Sequence, residues 1–297
     1  MWENTPLFLH LVRVHINMPT IILQGSNLDS ASSQSIAQQL EGQLDAASSY
    51  SKITTSQDIS SETIVELRQN YAFDINVIPD EFNAEQTKLL ITDMDSTLIS
   101  IECIDEIADF INVKPQVSEI TEAAMRGELD FEGSLTKRVG LLTGLDTSAL
   151  EHVYNERLQL NPGAEKLVSE LKKRDVKLAL VSGGFTFFTH RLQERLGLDF
   201  TLANVLDIED GKLTGKVVGG IVGAESKKHF LQELAQELNI STSQAIAVGD
   251  GANDLKMMGV AGLSVAYHAK PAVQAQAATA LNHCGLDGIL GLMEIDV

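Results

Sequence analysis

"LLITDMDSTLIS" (residues 89–100) opens with apolar residues and then sets two carboxylates two places apart, Asp93 and Asp95. The apolar run reads as a buried strand, and its end is a poor place for charge. Burying a carboxylate is costly unless something pairs with it. Either this stretch is not a strand end, or a cation belongs at its mouth.

The wider composition narrows the choices. The chain has 297 residues, room for one large domain or two modest ones. Its net charge of −19 argues against nucleic acid or an anionic membrane as a partner, so an anionic substrate needs a local cation or basic pocket. Cys103 and Cys284 lie far apart and form no CxxC pair. That speaks against a disulfide framework or structural zinc and fits a reducing, cytoplasmic compartment. No apolar run is long enough to span a membrane. The stretch "PLFLHLVRVHI" (residues 6–16) is broken by His10, Arg13 and His15 and reads as neither leader nor anchor.

From residue 88 onward, short apolar runs ("LLIT", "VKLALVS", "TLANVL", "AIAVGD", "GLSVAY") alternate with helical patterns such as "GAEKLVSELKKR" and "SKKHFLQELAQELN". This alternation predicts an α/β fold with a doubly wound, mostly parallel sheet covered on both faces. Asp210-Gly211 inside "VLDIEDGKLTGKVV" predicts a hairpin. Residues 101–160 carry helical periodicity and no convincing strand, which predicts a helical cap inserted over the sheet edge. The core is then residues 85–100 and 161–297, and residues 1–84 form a small N-terminal α/β domain. In that domain a helix is predicted over residues 32–45, with Ile36, Leu40 and Leu44 on one face. Strands are predicted at "TIILQGSNL", "KITTSQ" and "INVIPD", and a second helix at "SSETIVELRQNYA".

Ligands of open α/β sheets bind at the carboxyl ends of strands. The predicted strand ends carry Asp93 and Asp95, then Ser182-Gly183-Gly184, then Asp250 with Asn253 and Asp254. Each motif alone has an ordinary explanation. A DxD pair is commonly a solvated turn, SGG a helix entry, GDGAND a glycine-bearing loop, and a single lysine such as Lys227 a solvated surface group. Their joint occurrence at successive strand ends and helix starts is harder to dismiss. Several carboxylates converging at one edge would resist ionising together. A hard divalent cation removes that objection, and Mg²⁺ prefers one or two carboxylates with water and substrate phosphate.

"DMDST", "SGGF", Lys227 in "AESKKHF" and "GDGANDLKM" resemble the motif set of the haloacid dehalogenase-like phosphatases. "ISIECIDEIA", "AMRGELDFEGSLTKRV" and "ANVLDIEDGKLTGKVVG" narrow the resemblance to their phosphoserine phosphatase family, over about residues 88 to 283. The resemblance implies a Mg²⁺-dependent hydrolase of O-phospho-L-serine that works through an aspartyl-phosphate, the last step of serine synthesis. Asp93 would be the nucleophile and Asp95 the general acid and base. Asp250 would ligate Mg²⁺ with the Asp93 carboxylate and the Asp95 backbone carbonyl. Ser182, the Gly183 amide and Lys227 would hold the phosphoryl oxygens. Asn253 would contact the phosphate or the serine, and Asp254 would orient Lys227 or the metal shell. In the cap, Glu102 would meet the substrate ammonium and Arg138 its carboxylate, with Met125 and Phe131 lining the lid.

Without the family context, Glu102 is a helix-start acid and Arg138 an exposed ion pair, while Met125 and Phe131 are ordinary packing. Some bacterial members of the family carry an ACT-like regulatory or dimerising domain before the core. Residues 18–84 are short for one and do not display the full βαββαβ pattern, although a homodimer is an arrangement such a unit would serve. Two other functions stay open at this point. One is hydrolysis of another small phosphomonoester, such as phosphothreonine. The other is a binding protein with an idle core, against which the intact set Asp93, Asp95, Lys227 and Asp250 speaks.

Overall fold

Leu90 belongs to the apolar cluster on one face of the large sheet, and Leu89 and Ile91 to the cluster on the other. Both faces being covered, the strand reads as an unbroken apolar run. The computed structural model of the chain describes residues 18–125 and 128–297, so the stretch 6–16 lies outside it. The N-terminal unit runs β1 (Thr20–Gln24), α1 (Ser30–Gln39), β2 (Gln43–Ala46), β3 (Ser51–Thr54), α2 (Ser61–Asn70) and β4 (Asp74–Ile78). β5 (Leu89–Thr92) then enters the large sheet, followed by cap helices α3 (Cys103–Asp109), α4 (Lys114–Met125), α5 (Phe131–Gly140) and α6 (Ser148–His152). The chain returns through α7 (Ala164–Lys172), β6 (Lys177–Phe185), α8 (Thr186–Leu196), β7 (Phe200–Glu209) and β8 (Lys212–Val218). It continues with α9 (Ala224–Glu237), β9 (Ala245–Gly249), α10 (Leu255–Met258), β10 (Leu263–Tyr267), α11 (Pro271–Gln274), β11 (Thr279–Leu281) and α12 (Gly288–Leu292). Among the described residues, no helix is long and apolar enough to cross a membrane.

The large sheet has the order β11-β10-β9-β5-β6-β7-β8. Every neighbouring pair is parallel except β7 with β8. That hairpin turns through Asp210 and Gly211, both in the left-handed region (φ 49° and 75°), as its two-residue turn requires. Strand order reverses at β5, with β6 and β7 on one side and β9 to β11 on the other. Such a switch point leaves a crevice outside the strand's carboxyl end, and Asp93 is the residue that follows β5.

The cap leaves and rejoins the core through two segments held side by side. Ile99 bridges Leu160, and Ser100 N donates to Gln159 O at 2.9 Å. The Asn161 carboxamide donates to the carbonyls of Thr97 (2.8 Å) and Ile99 (3.1 Å). On its far side the cap is tied to the β7–β8 hairpin, since Gly144 N donates to Leu213 O and Thr147 N to Gly211 O.

The N-terminal unit carries the full βαββαβ order that its sequence hides, as an antiparallel sheet ordered β2-β3-β1-β4. The concealed strand is β2, "QLDA", which is short and mostly exposed and so has no apolar alternation. The helix expected over residues 32–45 stops at Gln39 instead. Glu41 takes a positive φ of 48°, and Leu44 pairs with Ile53 in the sheet. One face of this sheet packs Ile21 and Leu23 against α1 and α2. The other face puts Ile22 and Ile78 into the cluster that holds Ile289 and Leu290 of α12.

Docking to the core is completed by two polar side chains of β4. Asn76 donates to Ala280 O (2.9 Å) and accepts from Ala280 N (2.8 Å), as a neighbouring peptide would on the edge strand β11. Asp74 accepts from the amides of Asn282 (2.7 Å), His283 (3.1 Å) and Cys284 (2.9 Å). Hydrogen bonds to charged groups are worth about 1.5–3 kcal/mol, so Asp74→Ala should lower the unfolding free energy by at least about that much. Urea unfolding of wild type and variant measures it. A loss under about 0.5 kcal/mol, the range of an ordinary surface substitution, would mean the carboxylate does not hold the unit in place.

Candidate active site

The ladder between β5 and β9 runs on to Asp93, whose amide donates to Val248 O at 3.0 Å. Three residues later Ser96 takes the left-handed region (φ 56°). The turn swings Asp95 between core and cap. Its Oδ1 accepts from the amide of Cys103, the first residue of α3, at 2.8 Å. Its Oδ2 accepts from the Ser182 hydroxyl at 3.3 Å. Thr97 in the same turn donates to Asp250 Oδ1 at 3.0 Å, which draws the loop after β9 towards that after β5.

Ser182, Gly183 and Gly184 lie where β6 slips register against β7, between Val181 and Phe185. A bulge of this kind re-aims side chains, here bringing Ser182 to Asp95. Gly184 is required by close approach: a Cβ there would lie 2.8 Å from Asp95 Oδ2. At Gly183 a Cβ would lie 2.9 Å from the ring of Phe131 on cap helix α5. Phe131 therefore sits directly on this segment. Met125 ends α4, and its side chain lies outside what the structure describes.

Lys227 is fully buried in α9. Its Nζ meets Asp93 Oδ1 at 2.5 Å and Asp254 Oδ1 at 2.7 Å. Burial alone would push the ammonium down, but the Asp254 and Asp93 charges more than offset it and hold the group protonated above its ordinary value. Asp254 is bonded at both oxygens, Oδ2 accepting from Gly251 N at 3.1 Å. Asn253 is half-buried in the same loop.

Carboxylates outnumber this ammonium. Burial holds Asp93 well above the usual carboxylate range against the pull of Lys227, with the Asp254 and Asp95 charges adding to the rise. Burial, then the Asp254 charge, pushes Asp250 up to about 6. Asp95 is also raised, by burial first. Carboxylate oxygens of Asp93, Asp250 and Asp254 lie within 4.8 Å of one another. An all-oxygen set short of positive charge fits a hard divalent cation. With both Asp254 oxygens engaged, Asp93 and Asp250 are the better placed to bind it.

The cap adds one acid and one base. Glu102 is the N-cap residue of α3, and its Oε1 accepts from the Ser96 hydroxyl at 2.7 Å. Burial and then the Asp95 charge push its carboxyl up, while the residue keeps an exposed side at the cleft mouth, where water screens part of the effect. Arg138 of α5 is largely covered, and its Nε is buried without a hydrogen-bond partner among the described residues. Burial lowers the guanidinium, and the charges of Asp105, Glu102 and Asp95 oppose that. The motif reading gave no role to Ser96 and Thr97, which stand inside "DMDST", or to Asn204. Asn204 had a visible signal, being a carboxamide inside an apolar strand run where asparagine is depleted.

The haloacid dehalogenase-like hydrolase family matches residues 87–262. The phosphoserine phosphatase of Polaromonas sp. is 53% identical over 225 residues, 74% of this chain and 95% of that protein. A probable phosphoserine phosphatase from Vibrio cholerae, solved in unliganded form, gives a TM-score of 0.80 at 38% identity over 94% of this chain and 86% of that one. The solved phospho-aspartyl intermediate analogue of a phosphoserine phosphatase gives 0.65 at 42% identity, over 69% of this chain and 97% of the other. The chain belongs to the haloacid dehalogenase-like hydrolases and, within them, to the phosphatases of the phosphoserine phosphatase family.

Proposed function

We propose that the chain hydrolyses O-phospho-L-serine to L-serine and phosphate through an aspartyl-phosphate on Asp93, with Mg²⁺ as cofactor, as the last step of serine synthesis. The observation that carries this reading is Arg138. It is a cap guanidinium whose buried Nε has no partner among the described residues, set with Glu102 across from the carboxylates at the switch point. A phosphorylated amino acid supplies what each group lacks. Its carboxylate suits the Arg138 fork, its ammonium suits Glu102, and its phosphoryl group suits Lys227 and the Ser182–Gly183 segment.

An Asp93 oxygen attacks phosphorus while the bond from phosphorus to the serine oxygen breaks. Asp95 gives its proton to that leaving oxygen, and its raised carboxyl is suited to starting protonated. In the second half Asp95 takes a proton from the attacking water, phosphate leaves, and the Asp93 carboxylate is restored. Lys227, the Ser182 hydroxyl and the Gly183 amide hold the phosphoryl oxygens through both halves. Asp254 keeps Lys227 aimed. The Asp93 and Asp250 carboxylates with the Asp95 carbonyl would hold Mg²⁺, whose contribution when bound is to neutralise phosphoryl charge. Phe131, resting on Gly183, keeps bulk water from the intermediate.

The direct test is phosphate release from a panel of small phosphomonoesters with Mg²⁺ and then with EDTA. Phosphoserine should lead the panel, and EDTA should stop turnover. A clear preference for phosphothreonine or a simple alkyl phosphate would reassign the substrate. Asp93→Asn should abolish turnover with the fold retained, because an amide is no nucleophile. Normal steady-state release by a freshly purified variant, shown by mass to be free of deamidation, would remove Asp93 from that role. Glu102→Gln and Arg138→Ala should each cost about 2–5 kcal/mol in kcat/KM on phosphoserine, since each leaves a charge unpaired in a closed site. On p-nitrophenyl phosphate, which has neither group, they should matter little. If the preference for phosphoserine survives both within about twofold, these residues do not read the amino acid.

A further inference from the structure

Asn204 lies in β7 at 1% exposure. A buried carboxamide is tolerated when its donor and acceptor are both bonded. Here they are bonded to the backbones of two different elements. Nδ2 donates to Gly183 O at 2.8 Å, and Oδ1 accepts from Val222 N at 2.8 Å. The first partner is in the bulge of β6 that carries Ser182 and Gly183. The second precedes Gly223, the N-cap of α9, and Lys227 N closes the first turn of α9 on Gly223 O at 3.0 Å.

We infer that Asn204 is a positioning residue for phosphoryl transfer. It fixes the spacing between the Ser182–Gly183 segment and the helix start that delivers Lys227. The inference rests on the roles proposed above for those groups. The peptide between Gly183 and Gly184 is pinned at both ends, its carbonyl by Asn204 and its N–H by Ser182 Oγ at 2.8 Å. That fixes the backbone on the C-terminal side of the Gly183 amide. The two segments also run close together, since a Cβ on Gly183 would lie 3.6 Å from Val222 O. The Phe131 ring contacts both, reaching to within 3.4 Å of a Cβ placed on Gly223. The surface on which the cap closes is thus one piece because Asn204 joins its halves.

The experiment compares wild type, N204D and N204A. The aspartate keeps an acceptor for Val222 N but sets a carboxylate oxygen against the Gly183 carbonyl; the alanine leaves both backbone groups unpaired without adding charge. For each, melting temperature, kcat/KM on phosphoserine and on p-nitrophenyl phosphate, and the inhibition constant of inorganic phosphate are measured per folded active site. Displacing a positioned group by about 1 Å costs on the order of 10²-fold, so kcat/KM should fall roughly 10- to 100-fold on both substrates together. Phosphate should inhibit more weakly, and the ratio between substrates should stay within about twofold, because the groups reading the amino acid are untouched. A lowered melting temperature with per-site kcat/KM and phosphate inhibition unchanged would show a purely structural side chain and overturn the inference. If N204D does not fold, N204A is read by the same numbers. A wild type that hydrolyses p-nitrophenyl phosphate without preferring phosphoserine sinks the substrate assignment instead, and the comparison still stands on the phosphoryl group.

Discussion

Lys227 is an ammonium with no access to water, lodged between Asp93 and Asp254. Taking such a charge out of solvent is unfavourable, and it is stable only where carboxylates and hydrogen bonds replace its hydration. The three residues come from α9, the end of β5 and the loop after β9, so their pairing holds three elements at one spacing. The pairing is also incomplete in a useful way. Asp95 and Asp250 add negative charge that the lysine does not balance, and burial raises both. A phosphoryl group would be repelled by this set alone. It becomes a phosphoryl site only with a second positive charge, which is why the opening stretch of sequence implies a cation.

The cap reads as the other half of the same electrostatic arrangement. Asp95 is bonded to the first amide of α3 and to Ser182, so the residue proposed to move protons is also the one that senses where the cap lies. The segments entering and leaving the cap are clasped at Ile99 and Leu160, and the cap is tied on its far side to the β7–β8 hairpin. Glu102 and Arg138 present opposite charges from two cap helices. A ligand bearing both an ammonium and a carboxylate would draw those helices down, whereas a bare phosphate ester offers them nothing to hold.

The parallel sheet was legible because its strands are buried on both faces and read as apolar runs, and the cap because its helices show period 3.6. The charged residues of the candidate site were legible because carboxylates at strand ends stand out against that background. What escaped has a common physical cause. β2 is short, polar and half out of contact with any core, so nothing in its composition marks it as a strand. The end of α1 is set by Glu41 turning left-handed and by Leu44 finding Ile53, a partner distant along the chain, and periodicity within a window cannot register such a partner. Asn204, Ser96 and Thr97 act by bonding to groups on other elements, so their meaning exists only once those elements meet.

The N-terminal unit illustrates how docking constrains association. Its sheet has helices on one face, and the other face, with Ile22 and Ile78, is part of the core's own apolar cluster. β4 is occupied by the contacts of Asp74 and Asn76 with the segment from Ala280 to Cys284. Among the described residues the free edge is β2, which is short, mostly exposed and carries Gln43 and Asp45, features that blunt a strand as a template for pairing. A dimer formed through the core-facing side of the sheet would have to uncover Ile22 and Ile78, exposing apolar surface at about 25 cal/mol per Å². Among the described surfaces of this unit, the helical face is therefore better suited to a homodimer than the core-facing side or the blunt β2 edge.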